Sequence, residues 1–391
     1  MSPGHRTAEF IVIGAGVMGA SIAFHLARRG AGRVLVLDKG LAAQGGSSRS
    51  SALVRMHYTL PQEVQLAVAS LEVFRNWRDY VGRPGHFRRT GFVRIVPRNE
   101  AERLARNVEM QRALGVNTRL VCAAELKEIE PAWSVDDIDV AAYEPDSGYG
   151  DGSVTANDFL DRARELGAEF RPRTRVASFA LEGGRMRGVV TEQGRLEAPV
   201  VVSAAGPWSP RLFAAAGLRL PIEPEYHRVA ILGNPPGLRG GGSALIDGIH
   251  GMYLRSEGPD MTLVGAFTGA RGVDPDAFPD SASEEEMAEL AALGARRIGA
   301  LRDAGLVRSV TGVYDMTPDQ RPLLGAVPGA EGLYLAAGFS GMGFKISPAV
   351  GLALSELLLD GAAAGVDLAI FDPGRFAAGR PIRAPHEYAD E

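Results

Sequence analysis

The stretch that most constrains this chain lies near its start, where an apolar run ends in three regularly spaced glycines. Phe10–Ile13 is apolar enough for a buried strand. Gly14, Gly16 and Gly19 follow it with the spacing G-x-G-x-x-G. In a strand–turn–helix unit the first glycine allows the tight turn, the second lets backbone approach a pyrophosphate, and the third lets the helix pack closely. Residues 21–29 continue with helical apolar spacing, so the pattern predicts a dinucleotide-binding unit.

A second apolar run, Val34–Leu37, leads directly to Asp38. An acidic residue about 20 positions after the glycine motif accepts hydrogen bonds from ribose hydroxyls in such units. The combination strengthens the prediction of a dinucleotide site. By itself the motif does not choose between NAD and FAD.

Composition limits the classes of protein that this chain can belong to. Its 391 residues, 46% hydrophobic and 23% charged, are typical of a globular protein of two domains. A net charge of −5 with scattered arginines gives no support for a nucleic-acid partner. No apolar run is long enough for a membrane span, and we predict no metal site. The single cysteine, Cys122, excludes an internal disulfide and favours a reducing compartment, so we expect a cytoplasmic protein.

A loop rich in small polar residues follows the second strand and carries Ser47, Ser48 and Ser51. Such a loop either wraps a cofactor with backbone donors or is a flexible surface loop. It leads into Arg55 and His57, which lie among apolar residues. Because an unpaired buried charge is costly, Arg55 needs an anion from the protein, the cofactor or the substrate. A structural salt bridge remains an alternative.

The C-terminal third contains a second glycine-rich loop, 338–345, which ends at Lys345. Ser347 and Pro348 are favourable as the cap and first residue of a helix, which predicts an apolar helix over 349–359. The loop would deliver Lys345 to the positive end of that helix; if a flavin ring lay nearby, this end would stabilise the negative charge of its reduced form. A solvated loop lysine is the alternative.

Taken together, these motifs resemble the D-amino-acid-oxidase superfamily of FAD-dependent oxidoreductases, specifically its sarcosine oxidase and dimethylglycine oxidase branch. The resemblance covers essentially the whole chain. It rests on the glycine motif with Asp38, on the serine loop followed by Arg55-x-His57, on Thr317-Pro318-Asp319, and on the loop 338–345 with Ser347-Pro348. The last of these motifs implies FAD rather than NAD.

The resemblance implies a fold of the α/β class with an α+β second domain. We expect a Rossmann-like FAD-binding domain and an antiparallel-sheet substrate domain. The FAD-binding domain is expected to be discontinuous, formed by 1–82, 146–215 and 313–385. The substrate-binding domain is expected over 83–145 and 216–312.

The resemblance also implies which residues meet the cofactor and the substrate. Arg55 and Lys345 match the basic pair that binds a substrate carboxylate. Tyr253 and Tyr314 match side chains over the flavin face, with a packed core tyrosine as the alternative. Val176 matches the position that bonds adenine through its backbone. The expected FAD contacts are Gly14, Ala15, Gly16, Val17, Met18, Gly19, Asp38, Lys39, Ser47, Ser48, Ser51, Arg55, His57, Val176, Ala205, Gly206, Gly338, Phe339, Ser340, Gly341, Met342, Gly343, Phe344 and Lys345.

Two positions depart from the family pattern. Monomeric sarcosine oxidases bond FAD to a cysteine at the position occupied here by Gly312, which implies non-covalent FAD. The strand 262–267 lacks the lysine with which relatives activate oxygen, so the electron acceptor stays open.

The function that the resemblance implies is FAD-dependent oxidation of the C–N bond in a small amino acid, with a secondary or N-alkyl amino acid favoured. Hydride transfer to flavin N5 would give an imine that hydrolyses in water. The alternatives are oxidation of glycine, a D-amino acid or a 2-hydroxy acid, and a role as the flavin subunit of a multi-subunit amine dehydrogenase. The expected partner is thus a small-molecule amine; a homo-oligomer or a partner subunit is left open.

Overall fold

The computed structural model describes residues 7–389, so residues 1–6 of the first expected FAD-binding segment lie outside the described residues. The helices are α1 (Val17–Arg28), α2 (Pro61–Arg75), α3 (Trp77–Val81), α4 (Ala101–Ala113), α5 (Ala123–Ile129), α6 (Gly152–Glu165), α7 (Ser209–Ala214), α8 (Glu284–Arg297) and α9 (Gly343–Asp360). The strands are β1 (Phe10–Ile13), β2 (Val34–Leu37), β3 (Leu53–Val54), β4 (Arg88–Arg89), β5 (Phe92–Ile95), β6 (Arg119–Cys122), β7 (Val140–Glu144), β8 (Gly148–Tyr149), β9 (Glu169–Arg171), β10 (Val176–Glu182), β11 (Arg185–Thr191), β12 (Gly194–Glu197), β13 (Val200–Ser203), β14 (Glu223–Gly233), β15 (Ala244–Asp247), β16 (Met252–Ser256), β17 (Met261–Ala266), β18 (Ala270–Arg271), β19 (Gly305–Met316), β20 (Leu323–Ala326) and β21 (Leu333–Ala337).

A six-stranded sheet carries the nucleotide-binding motif, with the strand order β20-β21-β13-β1-β2-β9. Strand β1 lies at its centre, parallel to both β2 and β13. Only the edge strand β20 runs antiparallel to its neighbour. Because the carboxyl ends of parallel strands meet at one edge, the loops after β1, β2 and β13 come together there.

The glycine motif lets helix α1 begin directly on the turn after β1. Gly14 has φ of +102°, in the left-handed region that favours glycine. A Cβ on Gly19 would overlap the carbonyl oxygen of Gly14. A side chain at Gly19 would therefore push the helix away from the turn, and one at Gly14 would overlap the carbonyl oxygen of Ala204 at the end of β13.

The second large sheet is mainly antiparallel, with the order β18-β14-β17-β16-β15-β5-β7-β6 and β19 paired with β14. Its strand β19 is long and ends at Met316, just before the chain returns to the first sheet. Tyr314 near the end of β19 therefore lies where the two sheets approach each other. The expected combination of a Rossmann-like sheet and an antiparallel sheet is confirmed. Within residues 7–389 no helix has both the length and the apolar character needed to cross a bilayer.

Helix α9 starts earlier than the sequence predicted, because Pro348 lies inside it rather than at its first position. Proline has no N–H, so the Phe344 carbonyl loses its usual partner one turn later. The Ser347 hydroxyl donates to that carbonyl instead, at 2.8 Å. This replacement lets the helix begin at Gly343 and places Lys345 in its first turn.

His25 is buried in α1, where the helix meets its neighbours. Its Nδ1 lies 2.8 Å from the carbonyl oxygen of Ser21, and its Nε2 lies 3.0 Å from the Tyr80 hydroxyl. Burial lowers the pKa of His25 to about 3, against a smaller opposing effect of the bond to Ser21. The folded protein therefore keeps this imidazole neutral under mildly acidic conditions.

We predict that His25 makes folding less favourable as the pH falls from about 6.5 toward about 3, because in that window only the unfolded chain binds a proton there. By about pH 5 this linkage amounts to about 2 kcal/mol. Urea titrations at about pH 7.5 and about pH 5 measure how much unfolding free energy the protein loses between these pH values. The loss in His25→Gln should be smaller than the loss in the wild type by that amount. The exposed His86→Gln serves as the control, and an equal loss in both variants would contradict the prediction.

Candidate active site

A cavity of about 800 Å³ opens where the carboxyl ends of β1, β2 and β13 meet. Ile13, Leu37 and Ala204 mark these three strand ends in its wall. The predicted residues that line it are Gly14, Gly16, Val17, Met18, Asp38, Lys39, Ser47, Val176, Ala205, Gly206, Tyr314, Phe339, Gly341, Gly343 and Phe344. Loops that are far apart in the sequence thus form one wall.

The other predicted residues lie behind this wall or beside it. Gly19 packs against Gly14, and the backbone N–H of Ala15 donates to Asp38. His57 is buried elsewhere, with its Nε2 2.9 Å from the hydroxyl of Tyr388. The predicted residues that do not line the cavity are Ala15, Gly19, Ser48, Ser51, Arg55, His57, Tyr253, Gly338, Ser340, Met342 and Lys345.

Asp38 forms one end of the cavity wall and is oriented by backbone donors. Its Oδ2 accepts from the N–H of Ala15 at 2.7 Å, and its Oδ1 accepts from the N–H of Gly40 at 2.8 Å. Each carboxylate oxygen has a further lone pair for another donor. The group is therefore fixed in place and still able to accept from a ribose hydroxyl.

The start of α1 presents backbone donors to the middle of the cavity. No acidic residue lies in its first turn, so the positive end of the helix dipole is not neutralised there. The hydroxyl oxygen of Ser47 accepts from the N–H of Val17 at 2.8 Å. A Cβ on Gly16 would meet only this same oxygen, at 3.1 Å. The residues present thus fit the diphosphate of a dinucleotide cofactor.

Two cations lie behind the wall at the other end of the cavity. The Lys345 ammonium donates to the carbonyl oxygen of Gly341 at 3.2 Å, and Gly341 lines the cavity beside Tyr314. Lys345 is only 7% exposed. Burial first, and the nearby Arg55 guanidinium second, hold the pKa of Lys345 well below its usual value. Within residues 7–389 no carboxylate forms an ion pair with either cation.

Tyr253 and Tyr314 form a hydrogen-bonded pair, and the Tyr314 ring lies beside Gly341. A Cβ on Gly265 would overlap the Tyr253 ring, so the glycine in β17 provides the space for this ring. Burial raises the pKa of Tyr253 well above its usual value, and the neighbouring Tyr314 adds to this. Of the four predicted catalytic residues, Tyr314 thus lines the cavity, while Tyr253 bonds Tyr314 from behind and Lys345, near Arg55, contacts the lining residue Gly341.

The sequence analysis did not identify His227, whose ring stacks on Tyr314 with 4.1 Å between ring centroids. His227 Nε2 lies 2.9 Å from Glu225 Oε1, and Arg271 Nε lies 2.8 Å from the other oxygen of Glu225. Burial lowers the pKa of His227, although the Glu225 carboxylate opposes this. Strand alternation places Glu225 and His227 on one face, but their pairing with β19 has no local sequence signal.

Asp315 is another cavity residue that the sequence analysis did not identify. Its Oδ2 accepts from the N–H of Gly338 at 2.6 Å, which ties β19 to the glycine-rich loop. Burial raises the pKa of Asp315 to about 6. It lines the cavity next to Tyr314.

A loop from the second sheet closes the wall near Lys39. Asp276 in this loop bonds Lys39, accepts from the Trp208 indole at 2.9 Å and pairs with Arg211 at 3.1 Å. Arg49 contributes as well, with its guanidinium carbon 5.1 Å from the Phe278 ring centroid. These charged surface residues form no sequence motif, so only the tertiary structure shows that they contact one another.

The fold and this cavity define a flavoprotein class in which a Rossmann-like unit shares its ligand cavity with an antiparallel sheet. The chain belongs to the DAO family of FAD-dependent oxidoreductases, whose family model matches residues 9–357. FAD is therefore its cofactor, and the resemblance stated from the sequence motifs is confirmed, as is the assignment to an enzyme class.

Known relatives of this family include enzymes of amino acid oxidation. The chain is 26% identical to mitochondrial sarcosine dehydrogenase of Homo sapiens, over 91% of this chain and 40% of that protein. L-proline dehydrogenase from P. horikoshii has a TM-score of 0.89 and 28% identity, over 96% of this chain and 100% of that chain. Glycine oxidase from Geobacillus kaustophilus has a TM-score of 0.83 and 26% identity, over 95% of this chain and 99% of that chain.

We predict that Asp38→Ala weakens FAD binding more than it lowers the turnover of fully loaded enzyme. Loss of a charged acceptor should raise the dissociation constant of FAD by about tenfold to a hundredfold. Flavin fluorescence during titration of apoprotein measures this constant. Asp161→Ala, on the exposed face of α6, is the control. Equal FAD affinity in wild type and Asp38→Ala would remove the ribose role of Asp38.

Proposed function

We propose that this enzyme oxidises the C–N bond of a small amino acid, and that its preferred substrate is a secondary or N-alkyl amino acid. The pair formed by Arg55 and Lys345 carries the proposal, because these cations lie near each other without a carboxylate partner in residues 7–389. Two neighbouring cations, of which Lys345 is buried and Arg55 half-buried, are costly until an anion lies between them. A substrate carboxylate supplies that anion.

Binding of the carboxylate would orient the rest of the substrate within the cavity. FAD, when bound, supplies the chemistry by accepting a hydride from the substrate carbon beside nitrogen. Arg55 and Lys345 hold the acid group at one end, while the tyrosine pair limits the space above it. Because Lys345 is held in the first turn of α9, its position is determined by a rigid element. Positioning and charge complementarity therefore carry most of the expected acceleration.

The amine nitrogen must be neutral before it can release a hydride from the adjacent carbon. Tyr253 is a poor base near neutral pH, because burial keeps its hydroxyl protonated. His227 is the better proton acceptor, since burial favours its neutral form and its ring stacks on Tyr314. The Glu225 carboxylate, 2.9 Å from its Nε2, would stabilise the imidazolium that forms on proton uptake.

The names of the relatives support the choice of substrate class. Sarcosine and L-proline are both secondary amino acids with a free carboxylate, and they name two of the similar enzymes. Glycine oxidase points instead to a primary amino acid, which keeps glycine and D-amino acids as a second candidate. A 2-hydroxy acid and a role as the flavin subunit of a larger dehydrogenase remain further alternatives. The single cysteine supports a cytoplasmic location.

The test of the proposal is anaerobic bleaching of the bound flavin by sarcosine, L-proline, glycine, D-alanine and lactate. We expect the first two to bleach fastest. Bleaching by lactate alone, or by none of these compounds, would contradict the proposal. Reoxidation by oxygen and by an artificial acceptor then separates an oxidase from a dehydrogenase that needs a partner.

We predict that Lys345→Met and Arg55→Met each lower kcat/KM for the best amino acid by about tenfold to a hundredfold, because each removes an ionised hydrogen-bond partner. The corresponding amine without a carboxylate should be affected much less. Steady-state kinetics measure the ratio of kcat/KM for the amino acid to kcat/KM for the amine. Lys127→Met on α5 and the exposed Arg106→Met on α4 are matched controls. Unchanged ratios in both test variants would show that the pair does not bind the substrate carboxylate.

We predict that the purified protein is yellow and releases intact FAD on acid precipitation. Gly312 offers no nucleophile for a covalent bond, and the single cysteine, Cys122, is exposed and does not line the cavity. Absorbance of the supernatant and the pellet measures the distribution of flavin. Flavin that remains with the pellet would demonstrate a covalent link and overturn the prediction.

A further inference from the structure

The C-terminal segment of the chain contacts His57, a buried residue two positions after Arg55, the proposed substrate-binding arginine. Tyr388 is 2% exposed, and its hydroxyl lies 2.9 Å from Nε2 of His57. The two rings are stacked, with an interplanar angle of 15°. The guanidinium carbon of Arg94 lies 4.6 Å from the centre of the Tyr388 ring. A residue near the end of the chain thus belongs to the surroundings of segment 55–57.

This segment is attached to the fold at several points before it reaches His57. Asp319, from the Thr-Pro-Asp motif, accepts from Arg375 at 2.7 Å and from the N–H of Ile382 at 2.9 Å. Further along, the side-chain amide of Asn107 in α4 donates to the carbonyl oxygen of His386 at 2.9 Å. These bonds fix the direction of the segment, so Tyr388 is presented to His57 in a defined orientation.

His57 is in turn connected to Arg55. The Arg55 guanidinium donates to the backbone carbonyl of His57 and lies 4.3 Å from the ring centre of Tyr58. The N–H of Met56, between them, donates to the buried carboxylate of Glu144 at 3.0 Å. Segment 55–57 is therefore held by Glu144 through its backbone and by Tyr388 through the imidazole ring.

We propose that Tyr388 is a positioning residue for substrate binding, which acts through His57 to hold the Arg55 guanidinium in register with Lys345. The proposal rests on the proposed function, because it assumes that Arg55 and Lys345 bind a carboxylate. It assigns His57 to the support of the substrate site rather than to the cofactor wall. The C-terminal segment is then part of the machinery that sets affinity for the acid group.

The test uses the full-length holoenzyme and the variant Tyr388→Phe. This substitution removes one hydroxyl and keeps the ring that stacks on His57 and lies under Arg94, so the fold is preserved. Acetate and its neutral isostere acetamide serve as probes, and the perturbation of the flavin absorption spectrum reports their binding. We expect the dissociation constant of acetate to rise about threefold to tenfold, with acetamide binding and FAD content unchanged.

Tyr80→Phe is the matched control. The Tyr80 hydroxyl makes the same kind of bond, 3.0 Å from Nε2 of His25, at a place that does not line the cavity. Its loss should lower thermal stability without changing the affinity for acetate. A general loss of packing would affect both tyrosine variants alike, whereas a positioning role affects only Tyr388→Phe.

A double-mutant cycle separates positioning from a direct contact with the probe. In an Arg55→Met background, Tyr388→Phe should cause no further loss of acetate affinity, because the arginine that it positions is already absent. Additive losses would overturn the proposal. So would unchanged acetate binding in Tyr388→Phe when the wild type prefers acetate over acetamide. A wild type without that preference would instead overturn the carboxylate site itself.

Discussion

Close backbone contact between the start of α1 and the turn after β1 is the constraint on which the rest of the structure depends. It requires glycine at 19, where a side chain would overlap the Gly14 carbonyl, and at 14, where φ is positive and a side chain would overlap the Ala204 carbonyl. Asp38 then completes the turn by accepting from the N–H of Ala15. The contact aims the free N–H groups of the helix at the edge where the parallel strands end, which is where the cavity forms.

Near the opposite end of the cavity, two side chains of the same positive charge lie close together in a largely buried region. Lys345 enters this end because the glycine-rich loop leads directly into α9, and Ser347 satisfies the carbonyl that Pro348 leaves unpaired. Arg55 comes from a loop 290 positions earlier in the chain. Two such groups tolerate each other best when an anion lies between them, which is the basis of the proposed carboxylate site.

The second sheet determines how this charged end is shaped. Its strands place Tyr253, Tyr314 and His227 next to one another, and Gly265 leaves the space that the Tyr253 ring fills. This arrangement places an imidazole directly behind Tyr314, the member of the group that lines the cavity. The cavity therefore combines a general nucleotide-binding half with a half whose side chains define the chemistry.

Features that depend on local backbone requirements could be predicted from the residues alone. The glycine motif with Asp38 identified the Rossmann-like unit, and the loop ending at Lys345 identified the flavin family, since turns and close approaches restrict residue type locally. Contacts between strands that lie far apart in the sequence are seen only in the tertiary structure. Neither the stacking of His227 on Tyr314 nor the contact of Tyr388 with His57 has a local signal, because pairing between segments far apart depends on the packing of the whole chain.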